Sequence, residues 1–132
     1  MLIEAVVAVI VKDGKTLLIE RPSGPWVGWW GPVSGKVEPG ESQASAVARE
    51  SMEEVGLVVR PVEKVWENLS NKKRYRLHWW LAEYAGGELV PDPREVGAVR
   101  WLAPGEIDKY KIFEGDREFY EQVLPALVQE KR

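Results

Sequence analysis

The stretch from Gly35 to Leu57 constrains this chain more than any other, because its letters fit little besides one helix held between two tight backbone turns. Gly35–Gly40 reads as a glycine-rich loop, and Glu41–Val55 consists of good helix formers without a proline. Ser42 is placed to act as N-cap, its hydroxyl accepting from a free amide of the first turn. Gly56 stands where a helix end favours a left-handed residue. Ala44, Val47, Ala48, Ser51 and Val55 follow helical spacing and predict the buried face. Glu50, Glu53 and Glu54 fall at i, i+3 and i+4, so they share one face, expected roughly opposite the apolar stripe. Carboxylates gathered in this way repel one another unless a cation neutralises them, and hard oxygen donors suit Mg²⁺ or Mn²⁺. Arg49, four residues before Glu53, can hold that side chain by a charge-assisted hydrogen bond. Taken alone, the same three letters would also make a solvated helix face.

The remaining sequence supplies strands. Ile3–Val11 is rich in Val and Ile and reads as a buried strand. Lys12-Asp13-Gly14-Lys15 reads as a hairpin turn, since Asp-Gly accepts positive φ, and Thr16–Glu20 as the returning strand. Arg21–Gly31 carries two prolines and three glycines and is expected to be a loop, with a short strand over Pro32–Ser34. Leu57–Asn68 and Lys73–Tyr84 read as two strands around the turn Ser70-Asn71-Lys72, Gly86–Arg94 as a loop and Val96–Leu102 as the last strand. Ala103–Glu106 opens a helical turn. Asp116–Lys131 predicts a terminal helix burying Phe119, Val123, Leu124 and Leu127, with a kink or break at Pro125. The expected fold class is α/β in the mixed α+β sense: one mixed sheet with helices packed on both faces, all within a single domain over residues 1–132.

Bulk properties exclude several functions. The chain has no cysteine, which rules out disulfides, thiolate metal sites and cysteine nucleophiles. Its formal net charge of −3 disfavours stable nucleic-acid binding by phosphate neutralisation. Met1–Lys12 lacks a basic leader segment, and no stretch approaches the roughly 20 apolar residues that span a bilayer. A soluble cytoplasmic protein without a membrane partner is expected.

The spacing of the helix segment carries a resemblance. Gly35, Glu41, Arg49-Glu50, Glu53-Glu54 and Gly56 reproduce every fixed letter of the Nudix box, G-x5-E-x7-R-E-U-x-E-E-x-G-U, where U is a bulky aliphatic residue. Leu57 fits the last U, whereas Ser51 stands where an aliphatic residue is usual, so a small local packing change is expected there. The chain thus resembles the Nudix hydrolases (the MutT-like family), and the strand order around the box agrees. The resemblance implies Mg²⁺-dependent hydrolysis of a diphosphate linkage in a nucleoside diphosphate derivative, by water attack on phosphorus. It implies Glu50, Glu53 and Glu54 as metal ligands together with the carbonyl of Gly35. Glu41 and Gly56 become structural supports, and Arg49 the group that orients Glu53. Family members often add a carboxylate ahead of the last strand; Glu95 is the candidate for an added metal ligand or general base, with Glu53 its rival for the base role and Glu88 and Asp92 weaker candidates.

Arg21 and Lys36 are candidates for contacting a substrate phosphate. Seven tryptophans are many for this length. Trp66, Trp79, Trp80 and Trp101 lie on expected strands and suit the core. Trp26 and Trp29 lie in the loop before the box; Trp29 is the candidate to stack on a nucleobase. His78, the sole histidine, is expected to be a packed, hydrogen-bonded residue. An isomerase of isopentenyl diphosphate shares this architecture but uses a cysteine. The alternatives that remain are a nucleotide-sensing module of the same fold and a pure interaction domain. A small nucleotide-type molecule is the expected partner, and, by analogy with relatives, a second copy of the chain.

Overall fold

The computed structural model describes residues 1–70 and 72–129. The organising element is β1 (Ile3–Lys12), whose unbroken run of Val, Ile and Ala is buried on both faces, as a central strand requires. Val6, Ala8 and Ile10 point to one core, and Val7, Val9 and Val11 to a second on the opposite side. Asp13 (φ 52°) and Gly14 (φ 77°) make the expected turn into β2 (Lys15–Glu20). β1 pairs with β2 only beside that turn; further along, the same edge pairs antiparallel with β4 (Val33–Lys36). The other edge pairs parallel with β6 (Tyr75–Gly87), which forms a long hairpin with β5 (Leu57–Leu69). β2 carries β7 (Ala98–Leu102) and the two-residue β3 (Trp30–Gly31). The result is the expected mixed sheet.

Helices cover both faces. α1 (Gln43–Val55) closes the first core and a C-terminal helical segment the second. Ser42 caps α1, its hydroxyl accepting from the Ser45 amide at 3.1 Å, and Gly56 ends the helix at φ 76°. Ser51 is buried and satisfies its hydroxyl on the Val47 carbonyl at 2.8 Å, which is how the helix accommodates a polar letter at an apolar position.

Several boundaries depart from expectation. The short strand comes one residue later and runs to Lys36, and Trp30–Gly31 pairs with β2 within the expected loop. The last strand starts at Ala98, because Val96 and Glu95 are held in a turn on the Asp92 carbonyl. On α1, Ala46 is fully buried while Ala44 and Ala48 are only partly so. The terminal helix begins at Glu114 as α2 (Glu114–Glu118), passes through a π turn at Phe119–Val123 and resumes as α3 (Leu124–Gln129). The wide turn precedes Pro125, whose ring and missing N–H disfavour an ordinary helical turn, and the Leu124 amide bonds back to Phe119 instead. Lys131 and Asn71 lie outside the described residues. No helix among those described is long and apolar enough to cross a membrane.

Candidate active site

The site grows from a close approach between β4 and α1. A Cβ at Gly35 would fall inside the carboxylate of Glu50, so only glycine lets this strand pass the helix. Arg49 then fixes the surroundings. Its Nε and Nη2 donate to both oxygens of Glu41 at 2.8 and 3.0 Å, Nη1 donates to Glu50 at 2.8 Å and to Glu53 at 3.3 Å, and Nη2 also reaches the Lys36 carbonyl at 2.9 Å. The bidentate guanidinium holds the Glu41 carboxyl down to about 2, and Glu41 returns the favour by raising Arg49. Glu41 also accepts from the Glu38 amide at 3.0 Å, closing the loop that precedes the helix. With its donors turned to these acceptors, Arg49 acts as a clamp between loop and helix.

The three helix carboxylates differ sharply. Glu53 is exposed and rests on Arg49. Glu54 is 6% exposed, on the buried side of α1, which corrects the expectation that all three lie opposite the apolar stripe. Seven residues from Val47 and three from Ser51, it belongs to the buried stripe by helical geometry. Burial first, then a hydrogen bond with Glu50 and that group's charge, push the Glu54 carboxyl up to about 9; Arg21 opposes the rise and Glu95 adds to it. Glu54 is thus flanked by Glu50, Glu95 and Arg21.

Glu95 reaches this neighbourhood because its loop is pinned to the end of α1. The Val90 and Asp92 amides donate to the Val55 and Glu54 carbonyls at 2.9 and 2.8 Å, and Gly97 donates to the Glu20 carbonyl at 2.8 Å. These bonds use carbonyls that a helix end leaves free. Asp92 itself is occupied by Arg94, which donates to both its oxygens, and Glu88 contributes its carbonyl beside Gly56. Among the described residues no three carboxylate or histidine side chains are gathered closely enough to cage a metal as they stand. The donor set nonetheless fits a hard divalent cation: Glu50 and Glu95 both bring negative charge to bear on the buried Glu54, and a cation between such hard oxygen donors would offset it.

Beside Gly35 and Arg21 opens a cavity of about 610 Å³. Its floor is the sheet face formed by Ala5, Val7, Leu77 and Trp79; Trp26 and Phe113 make an aromatic wall. Among the described residues, Arg21, Lys36, Lys72 and Arg74 line it, against one acid, Asp116. Trp29 is not part of the lining. It stacks on Phe113 (5.4 Å, 25°) and meets Trp26 edge-on, so it backs the wall. His78 is buried, with Nε2 2.7 Å from Glu4, as expected of a packed histidine. Sequence reasoning missed Phe113, Asp116, Lys72 and Arg74. Asp116 counted only as a helix start, Lys72 as part of a polar turn and Arg74 as part of a strand, and no local spacing ties them to the box.

The family model described as the NUDIX domain matches residues 1–123. The chain is 36% identical over 118 residues to the CTP pyrophosphohydrolase of Escherichia coli, covering 87% of this chain and 86% of that protein. It is 39% identical over 94 residues to the NAD-capped RNA hydrolase NudC of Stutzerimonas stutzeri, covering 71% of this chain; it spans only 34% of that protein's length. Among solved structures, the E. coli ORF135 protein superposes with a TM-score of 0.75 at 30% identity, over 99% of this chain and 93% of that one. The MutT Nudix hydrolase from Burkholderia pseudomallei gives a TM-score of 0.77 at 29% identity, over 93% of this chain and 98% of that one.

Proposed function

The chain belongs to the Nudix family of hydrolases, and from that premise we propose that it cleaves a diphosphate linkage in a nucleoside diphosphate derivative, with Mg²⁺ held by Glu50, Glu53, Glu54 and the Gly35 carbonyl. The observation that carries this reading is the junction of two unlike regions at Gly35 and Arg21. On one side stand Glu50 and Glu54, with Glu95 in electrostatic reach; on the other is a cation-lined cavity with an aromatic wall. A nucleotide meets both demands, since its phosphates need positive charge and its base an apolar face. Glu50, Glu53, Glu54 and Glu95 are the oxygen donors available to the ion. When bound, Mg²⁺ supplies Lewis-acid stabilisation of negative charge on phosphate oxygens.

The chain's own groups do the rest. Arg21 and Lys36, at the junction, bind phosphate. Arg49 touches no substrate; it positions Glu41, Glu50 and Glu53. Glu53 and Glu95 are the two groups that can take a proton from the attacking water: Glu53 is exposed on the box helix, and Glu95 lies on the loop pinned beside Glu54. Trp26 and Phe113 present the faces on which a base stacks, with Trp29 behind them.

The test is product release in the presence of Mg²⁺ from nucleoside triphosphates, ADP-ribose, NADH, coenzyme A, UDP-sugars and diadenosine polyphosphates. CTP heads the panel, because the relative matched over most of its own length is named for it. Metal-dependent hydrolysis that is lost in Glu54→Gln supports the reading. Nucleotide binding without hydrolysis of any compound overturns it in favour of a sensor.

A further inference from the structure

The cavity carries more positive charge than a diphosphate at its Gly35 end can use. Arg21 and Lys36 stand at that end, beside the box helix, whereas Lys72 and Arg74 stand at the other, on the tip of the β5–β6 hairpin. The apolar floor and the aromatic wall run between them. The separation follows from strand register. Lys36 lies opposite Ala5 on β1, Ala5 lies opposite Leu77 on β6, and Arg74 precedes Leu77 by three residues. With about 4.8 Å between neighbouring strands and about 3.3 Å per residue, the backbones of the two cationic ends lie roughly 14 Å apart.

The hairpin tip is braced. The Ser70 hydroxyl accepts from the Arg74 and Tyr75 amides at 3.2 and 3.0 Å, and the Ser70 carbonyl accepts from the Lys73 amide at 2.7 Å. Lys73 is held in the left-handed region at φ 51°. Lys72 and Arg74 line the cavity, and Lys73 between them does not. No ion pair among the described residues engages Lys36, Lys72 or Arg74. Asp116, the acid of the described lining, feels the charge of Arg21 instead. Two neighbouring cations without a carboxylate repel each other, and an anion between them relieves that repulsion.

We propose that Lys72 and Arg74 form a second phosphate subsite, which takes a phosphate ester carried on the ribose of the substrate, across the nucleoside from the diphosphate that is cleaved. The proposal rests on the reading of the cavity as a nucleotide site. In that reading the diphosphate on the ribose 5′ oxygen meets Arg21 and Lys36, and the base meets the aromatic wall. A base and an unmodified ribose are neutral, so neither gives the hairpin cations a charge to neutralise. A phosphate on the ribose 3′ oxygen does. The planar fork of Arg74 can grip two of its oxygens, and Lys72 adds a mobile point charge. The same chemistry has two sources: a terminal ribose phosphate on a mononucleotide, and the first internucleotide link at the 5′ end of an oligonucleotide. The formal charge of −3 disfavours a longer tract of nucleic acid, so the subsite is confined to that one phosphate.

Equilibrium binding of cytidine and adenosine nucleotides that contain no anhydride tests this in the presence of Mg²⁺, because none of them can be turned over. The 5′-monophosphate is compared with the 3′,5′-bisphosphate and with a 5′-phosphorylated dinucleotide of the same base. At about 0.05 M salt the bisphosphate should bind at least about tenfold tighter than the monophosphate, and the gain should shrink as salt is raised. Lys72→Ala combined with Arg74→Ala should remove most of the gain. Lys73→Gln takes a positive charge from the same turn but not from the cavity, and should keep it. A dinucleotide that shares the gain identifies an oligonucleotide end as the source, and one that does not identifies a terminal ribose phosphate. A bisphosphate that binds no tighter than the monophosphate, a gain that survives the double replacement, a gain lost equally in Lys73→Gln, or no binding of any of these compounds overturns the proposal. Hydrolysis is read separately: turnover of the panel above without this gain refutes the subsite alone, and the gain without turnover refutes only the proposed activity.

Discussion

Glu54 shows why one side chain decides both stability and activity. A carboxyl that is nine-tenths buried and faces Glu50 and Glu95 is costly to ionise, which is what its elevated titration expresses. The sign follows: folded Glu54 holds its proton to higher pH than the unfolded chain does, so its penalty grows between about pH 4.5 and about 9. Glu54→Gln should therefore raise the thermal midpoint of the metal-free protein at about pH 8 and abolish the further rise that Mg²⁺ gives the wild type. A midpoint lower than wild type under those conditions would refute the destabilising role. Arg49 makes the complementary case. Arg49→Lys keeps the charge but loses the fork that grips both oxygens of Glu41, so turnover or metal affinity should drop by about 10- to 100-fold, with little loss of secondary structure by circular dichroism. These residues were legible because i, i+3 and i+4 spacing is visible in the letters. The burial of Glu54 was not, because a pattern that counts only apolar letters assigns every glutamate to solvent. Asp116 escaped for the same reason.

Among the elements, the end of α1 carries the most. Gly56 turns the chain at φ 76°, and a Cβ there would lie 2.8 Å from the Glu88 carbonyl, on the very loop whose amides cap the helix. Gly56→Ala should cost about 1–2 kcal/mol for the left-handed conformation alone. It should also shift the loop that brings Glu95 toward Glu54, so activity should fall further than the loss of folded protein explains. Denaturant melts beside turnover at saturating metal separate the two effects, and parallel losses would detach Glu95 from the site. The helix limits were readable from Ser42 and Gly56, whose side-chain oxygen and left-handed freedom are local properties. The pinning of the 88–97 loop was not, because it depends on backbone amides that every residue owns. At the C-terminal helix, Pro125 announced an interruption, but its form as a π turn starting at Phe119 depends on packing that seats Phe119 against Trp79 at 4.5 Å.

For the whole molecule, net charge and working surface point in opposite directions. The chain carries a formal charge of −3, yet Arg21, Lys36, Lys72 and Arg74 converge on one cavity, with Asp116 as the only acid among its described lining residues. The cavity draws its lining from β1, the loop after β2, β4, the β5–β6 hairpin and the start of α2, segments far apart in sequence. That is why the mixed sheet was readable in advance and its cavity was not: strand patterns repeat locally, whereas a cavity exists only once register has aligned them. A converging cationic lining inside an acidic molecule should attract a polyphosphate and repel little else, and salt should weaken that attraction. The screening length shortens from about 10 Å at 0.1 M to about 3 Å at 1 M ionic strength. KM for an anionic nucleotide should accordingly rise several-fold across that range, while kcat, set by groups in contact with the reacting phosphate, changes less. The double replacement Lys72→Ala and Arg74→Ala should flatten the salt dependence of KM and leave kcat near the wild-type value, since both residues lie at the hairpin end of the cavity, away from Gly35. A KM indifferent to salt in the wild type would mean that these cations serve the fold and not the substrate.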